Sequence, residues 1–386
     1  MKKILFHKSY IGKEEIIAVT DSVKSGWLTM GPKTIKFEKL FSNFIVKNSK
    51  YKFQKKSNPF YSVSCNSATA ALHLALKAIN LKKNDEVIIP TNTFVATAEV
   101  VGYFGAKPVL CDVEYETHNI DCNKIQGLIT SKTKAIIPVH FGGQPCDMNK
   151  ILHIAKKNKI RVIEDAAHAL PSSYKEQIIG SIADITCFSF YATKTLSTGE
   201  GGMAVTKNLK FAKSMRVNRL HGISKDAWKR YTDKGNWFYE VIDSGYKYNT
   251  TDINSAIGIV QLNRLPWLQQ KREEIAQKYN EAFKKIDSIK TLKIKNDRRT
   301  SWHLYVIKVS NRNKFIEILK KKNIQLSVHY IPIHMHSYYK KKYSYKYSDY
   351  PIANKIYKET VSLPIYPGLS SKEVNYIIKK VIKYAK

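Results

Sequence analysis

Residues Asp184–Met203 read DITCFSFYATKTLSTGEGGM, and how this stretch divides decides the fold. Its opening is a strand, since Ile185, Cys187, Phe188 and Phe190 make an apolar run of strand length. Its close, with Gly199, Gly201 and Gly202, reads as a turn that needs unusual backbone angles. Between them Lys194 stands among the small residues Ala192, Thr193, Thr195 and Ser197. A lysine in a turn behind a buried strand has its ammonium beside low-dielectric protein. Desolvation disfavours the charged form, which makes such a lysine a candidate imine-forming nucleophile. A lysine-rich chain also carries many ordinary surface lysines, and this stretch alone does not separate the two readings.

A second stretch separates them. Arg161–Leu170 reads RVIEDAAHAL, a buried strand ending at Asp165 and followed by a turn of small residues. A carboxylate at the C-terminal end of a parallel strand lies where α/β sheets bind ligands. An enzyme that uses pyridoxal phosphate (PLP) needs such a carboxylate to keep the pyridine nitrogen protonated, so that the ring acts as an electron sink.

Working outward, Tyr61–Cys65 is a strand that turns through Asn66, Ser67, Ala68 and Thr69 into a helix with Leu72, Leu76 and Ile79 on one face. The free N–H groups and positive end of that helix form a ready phosphate site. An ordinary hydroxyl N-cap has the same sequence signature. Further strands at Glu86–Pro90, Val109–Val113, Ala135–Val139 and Val162–Asp165 alternate with helix-like sequence. That alternation predicts an α/β fold with a mostly parallel sheet and right-handed crossovers. Upstream, a helix over Glu14–Lys24 marks one face with Ile16, Ile17, Val19 and Val23, and GWLTMGPKTIKFE (Gly26–Glu38) reads as a fixed loop. From about Pro266 the composition changes to a charged amphipathic helix (Gln269–Ile286), a strand in Trp302–Val309, a helix over Lys314–Lys322 and a capped C-terminal helix. The predicted division is a large domain over 1–262 and a smaller α+β domain over 263–386.

With 386 residues and 43% hydrophobic content, the chain can bury a sizeable core. Its formal net charge is +34, which by itself fits nucleic acid or an anionic membrane surface. The lysines are scattered over predicted helices and form no single stripe, so the charge is read as solvated surface and no nucleic-acid partner is expected. Five cysteines without a CxxC pair fit reduced thiols. The basic N-terminus has too short an apolar run for a signal peptide, and no run reaches membrane-span length, so a soluble cytoplasmic protein is expected, with no membrane partner. His329, His334 and His336 cluster, but no carboxylate or cysteine stands at ligand spacing and Pro332 breaks any helix that would align them. No metal is assigned.

SFYATKTLSTGEGGM and EDAAHAL together resemble the DegT/DnrJ/EryC1/StrS family of PLP-dependent sugar aminotransferases, and the resemblance runs over nearly the whole chain. It implies the fold-type I architecture, PLP held on Lys194, and transfer of an amino group from L-glutamate to a nucleotide-linked keto-sugar for polysaccharide or glycan biosynthesis. By position in the family motifs, Asp165 meets the ring nitrogen, His168 the phenolic oxygen, and Phe94 stacks on the ring. Ser67, Ala68, Thr69 and Ser189 hold the phosphate, and Asn249 reaches the partner's cofactor phosphate across a homodimer. GWLTMGP with Thr29 borders the site. The stretch holding Lys229, Arg230 and Trp237, with the VHYIPIH run that holds His329, is most similar to enzymes that aminate C4 of UDP-linked 4-keto-6-deoxy sugars. C3 amination of a dTDP- or GDP-linked sugar is the alternative. Sugar dehydratases of the family replace the imine lysine by histidine, and Lys194 argues against that branch. The polar, basic stretch Asn48–Pro59 is longer than the family's usual connection and has no assigned role.

Overall fold

The computed structural model describes residues 2–49, 59–224 and 238–385. A seven-stranded sheet lies at its centre. In chain order its strands are β1 (Tyr61–Cys65), β2 (Glu86–Pro90), β3 (Lys107–Cys111), β4 (Thr133–Ile136) and β5 (Arg161–Asp165). A short hairpin, β6 (Ser173–Tyr174) and β7 (Gln177–Ile178), precedes the last two, β8 (Ile185–Ser189) and β9 (Gly202–Thr206). The spatial order is β1-β9-β8-β5-β4-β2-β3. From β8 to β3 every neighbouring pair is parallel, while β9 runs antiparallel to both β8 and β1. This is the mostly parallel sheet that the alternating sequence predicts. β8 and β9 are buried along their whole length, because helices cover both faces.

One face packs on the helices Ala68–Ala78, Ala96–Gly102 and Leu209–Asn218. The other packs on Pro32–Lys47 and Met148–Lys157, with Phe37, Phe41, Phe188 and Phe190 at its centre. A third core lies toward the C-terminus, built on a small antiparallel sheet of β10 (Lys290–Thr291), β12 (Tyr305–Lys308) and β13 (Thr360–Leu363). β11 (Arg298–Arg299) instead pairs with β6. The N-terminal segment belongs to this third core through Ile4, which bridges to Ile324.

Four local readings change, the first being that the loop expected over Gly26–Glu38 gives way at Pro32 to the helix Pro32–Lys47, with Pro32 in its first turn. The helix expected from Gln269 begins far earlier, as one helix over Asp252–Phe283 with Pro266 inside it. Leu262 and Leu265 are buried in the second core, while Ile275, Ala276, Tyr279 and Phe283 are buried in the third, and this packing on both sides outweighs the proline's lost hydrogen bond. In the helix Lys13–Lys24 the apolar residues face outward, with Ile16 61% and Ile17 59% exposed. The polar residues Glu15 and Ser22 are buried instead, because Gln261 donates to Glu15 at 2.8 Å and Ser22 donates to the Asp252 carbonyl at 3.3 Å. Of the three glycines after Lys194, only Gly199 takes a positive φ, at 83°. Gly202 opens β9 and is needed for close approach, since a Cβ there would lie 2.3 Å from the Ser67 carbonyl oxygen.

Candidate active site

The carboxyl ends of β5 and β8 open into a cleft of about 520 Å³. Parallel strands bring Asp165 and Cys187 into register, so Asp165 and the turn after Ser189 emerge side by side. Lys194 lies in that turn and lines the cleft together with Asp165. Burial lowers the Lys194 pKa from 10.5 to about 8, against the pull of the Asp165 charge and with the help of Arg272. Its Nζ lies 3.5 Å from Nε2 of His303.

Asp165 is itself buried, and desolvation raises its pKa. Thr97 donates its hydroxyl to one carboxylate oxygen at 2.8 Å, and the Ala167 N–H donates to the other at 3.2 Å. Both bonds fix the carboxylate's orientation and favour its charged form.

Across the cleft stands the N-terminus of the helix Ala68–Ala78, where Ser67, Ala68 and Thr69 line the wall. Ser67 is also its N-cap, accepting from the Ala70 N–H at 3.1 Å. The phosphate and cap readings of this turn therefore coexist. Ser189 lines the same cleft. Phe94 is 56% exposed and has one ring neighbour among the described residues, Tyr330, at 5.9 Å between centroids. A bare aromatic face beside a cleft suits a flat ligand.

His168 accepts from the Gly142 N–H at 3.3 Å through Nδ1, and its Nε2 lies 2.9 Å from the Tyr330 hydroxyl. Burial holds its pKa well below the usual range, so the ring is neutral. His329 lines the cleft with its Nδ1 2.9 Å from Ser362 Oγ. Its neighbours in the histidine cluster do not converge with it: His334 uses both ring nitrogens, on Thr91 and Asn354, at 2.7 Å each.

The residues read from the sequence thus fall into three groups. Ser67, Ala68, Thr69, Phe94, Asp165, His168, Ser189, Lys194 and His329 share one cleft. Thr29 and Asn249 do not line it. The Asp252 N–H donates to the Thr29 carbonyl at 3.1 Å, which places Thr29 beside the helix start that Asn249 precedes. Lys229, Arg230, Trp237 and most of the basic insertion lie outside the described residues. Sequence reasoning missed Phe6, His7, His303 and Tyr330, which also line the cleft. His7 reaches it by bonding the Ala192 carbonyl at 2.9 Å. His303 lay inside a stretch read only as a strand, and Tyr330 inside one read for its histidines.

The donor set fits PLP. A helix N-terminus answers a phosphate, a buried carboxylate with no cation at bonding distance among the described residues answers a pyridinium, and an amine of lowered pKa shares the cleft with both.

The sequence profile of the DegT/DnrJ/EryC1/StrS aminotransferase family matches residues 9–382. The spore coat polysaccharide biosynthesis protein SpsC of Bacillus subtilis is 47% identical over 378 residues, covering 96% of this chain and 94% of its own. Spr1654 of Streptococcus pneumoniae, solved in PLP- and PMP-forms, superposes with a TM-score of 0.90 at 34% identity; the PMP-form covers 99% of each chain. PseC of Helicobacter pylori, an aminotransferase involved in the biosynthesis of pseudoaminic acid, has a TM-score of 0.89 at 29% identity, covering 100% of this chain and 99% of its own. Among the described residues no helix is long and apolar enough to cross a membrane.

Proposed function

The chain belongs to the DegT/DnrJ/EryC1/StrS aminotransferase family and is a PLP-dependent sugar aminotransferase, and from that premise we propose that it aminates C4 of a UDP-linked 4-keto-6-deoxy hexose with L-glutamate as donor. The observation that carries the chemistry is the convergence of Lys194, Asp165 and a helix N-terminus on one cleft. When bound, the cofactor supplies the electron sink that makes hydrogen on a carbon next to nitrogen acidic.

The chain's own groups do the rest. Lys194 Nζ, whose pKa burial lowers to about 8, takes that proton in its neutral form and returns it elsewhere. His303, itself neutral through burial, stands with Nε2 3.5 Å from the amine and holds its position. Asp165 holds a proton on the ring nitrogen, Phe94 covers one ring face, and Ser67, Ala68, Thr69 and Ser189 bind the phosphate. His168 serves the phenolic-oxygen side of the ring. Asn249 serves the partner's cleft in a homodimer, a reading supported by its place outside its own cleft. The product feeds polysaccharide or glycan biosynthesis, a reading supported by the likeness to SpsC.

The C4 and UDP assignments rest on the sequence around Lys229, Arg230 and Trp237 and on the VHYIPIH run, whose His329 lines the cleft. The mostly basic surface favours a sugar diphosphate without selecting one. The test is a panel of UDP-, dTDP- and GDP-linked 3-keto and 4-keto sugars with L-glutamate, with products placed by NMR. A C4 amine from a UDP sugar is expected. A C3 amine, or turnover confined to dTDP or GDP sugars, overturns the substrate assignment and leaves the aminotransferase chemistry standing.

A further inference from the structure

The hydrogen bonds around His168 have a fixed direction. A backbone N–H only donates, so the 3.3 Å bond from Gly142 leaves Nδ1 without a hydrogen. The neutral ring then carries its hydrogen on Nε2 and donates it to the Tyr330 oxygen, 2.9 Å away. Tyr330 has a single O–H hydrogen, and its oxygen is already accepting. Among the described residues, His168 Nε2 is the hydroxyl's hydrogen-bond partner, so that hydrogen is left to point into the cleft the side chain lines. Burial raises the Tyr330 pKa, and the Asp165 charge raises it further, so the hydroxyl stays protonated.

The place of this donor narrows what it meets. Tyr330 stands beside Phe94 and Phe141, and its backbone N–H is held by Asn92 at 3.3 Å. The groups facing it are His168, His329 and Asp165, with Lys194 and His303 next to His168. Asp165 has bonds from Thr97 and Ala167 on its two oxygens. On a PLP ring whose nitrogen faces Asp165 and whose reactive carbon faces Lys194, the phenolic oxygen projects between those two points. Tyr330 and His168 line the same cleft as Asp165 and Lys194, with Tyr330 feeling the Asp165 charge and His168 that of Lys194.

Building on the functional reading above, we propose that Tyr330 donates its hydroxyl hydrogen to the phenolic oxygen of bound PLP, and that His168 is the positioning residue that keeps the hydroxyl turned to donate. Family position alone gives that contact to His168; here Tyr330 comes between.

The test uses the cofactor-loaded enzyme and reads its absorbance against pH without substrate. A donor on the phenolic oxygen draws off charge that would otherwise hold the proton on the lysine-bound cofactor. Removing it in Tyr330→Phe should raise the pH midpoint of the colour change by about one to two units. His168→Gln should raise it less, since the tyrosine keeps its hydrogen but loses its orientation. An unchanged midpoint in Tyr330→Phe overturns the proposal, as does a rise confined to His168→Gln. Should Tyr330→Phe fail to fold, His168→Gln still decides: a midpoint as high as loss of the donor requires puts the donor on His168 itself. Wild-type protein that takes up no PLP and shows no such band would instead overturn the functional reading.

Discussion

A lysine that must act as a base has to reach its neutral form while surrounded by protein, and the surroundings of Lys194 arrange this. Burial is the main cause, and the Arg272 charge adds to it. The same burial makes a stability prediction for the cofactor-free protein. The amine loses its proton near pH 8 when folded and near 10.5 when unfolded, so between those values the unfolded state binds more protons. Folded stability therefore rises with pH across that window, and below it the full cost of a desolvated ammonium is present. Thermal melts of cofactor-free wild type and Lys194→Met should differ most below pH 8 and converge toward pH 10.5. A constant difference would mean that Lys194 is not desolvated. Asp165 makes the complementary case. Asp165→Asn keeps the shape and the Thr97 contact but removes the charge proposed to face the ring nitrogen. Loss of a charge partner in a dry site costs roughly 3 kcal/mol or more, so turnover should fall by at least about a hundredfold with the melting temperature little changed. Near-normal rates in steady-state assays would assign the role to another carboxylate. Both residues were legible in the sequence because each sits at the end of an apolar run, where local pattern fixes position. His303 and Tyr330 were not, because they reach the cleft only through tertiary packing. The contact of His303 with Lys194 spans 109 positions, and that of Tyr330 with His168 spans 162.

Among the elements, the junction of β9 with the helix Ala68–Ala78 matters most, because it sets where the helix N-terminus points. β9 begins at Gly202, paired with Cys65, and a methyl group there would sit 2.3 Å from the Ser67 carbonyl oxygen and 2.7 Å from the Ala68 nitrogen. Both are backbone atoms that cannot swing aside. Gly202→Ala should cost about 1–3 kcal/mol by overpacking and push the helix start away from the cleft. Denaturant melts should show the loss, and equilibrium dialysis should show weaker PLP retention than in wild type. Unchanged retention would mean that this helix end does not hold the phosphate. The sequence marked Gly202 as special but misjudged why, since a glycine kept for close approach looks the same as one kept for a positive φ. The helix Lys13–Lys24 was misjudged for a related reason. Periodicity shows which residues share a face but not which face is covered, and here Glu15 and Ser22 take the inner positions through hydrogen bonds to the helix Asp252–Phe283. The C-terminal helix Ser371–Tyr384 was legible as a capped helix because its cap is local; the structure shows it as a capping box in which Ser370 and Glu373 bond each other's backbone.

At the scale of the molecule, one chain does not bring all its read site residues together. Asn249 donates to its own Thr250 carbonyl at 3.2 Å, its buried Oδ1 has no partner among the described residues, and it stays outside its own cleft. Thr29 lies in the same neighbourhood, tied to the backbone of Asp252. The outward face of the helix Lys13–Lys24, with Ile16, Ile17 and Val23 more than half exposed, adds apolar surface suited to a second copy. If Asn249 completes the partner's cleft, two defective chains can repair each other. Lys194→Ala retains Asn249 but lacks the amine. Asn249→Ala retains the amine, and loss of one hydrogen bond to a charged phosphate should weaken PLP binding about ten- to a hundredfold. In a mixed dimer one cleft draws its lysine from the Asn249→Ala chain and its asparagine from the Lys194→Ala chain, and is therefore intact. At PLP concentrations too low to load Asn249→Ala alone, mixing the two variants and allowing exchange should raise turnover well above either parent. Differently tagged subunits would report the exchange. Exchange without any gain in turnover would place Asn249 in its own chain's structure only, and the Asp252 neighbourhood would then carry no part of the site.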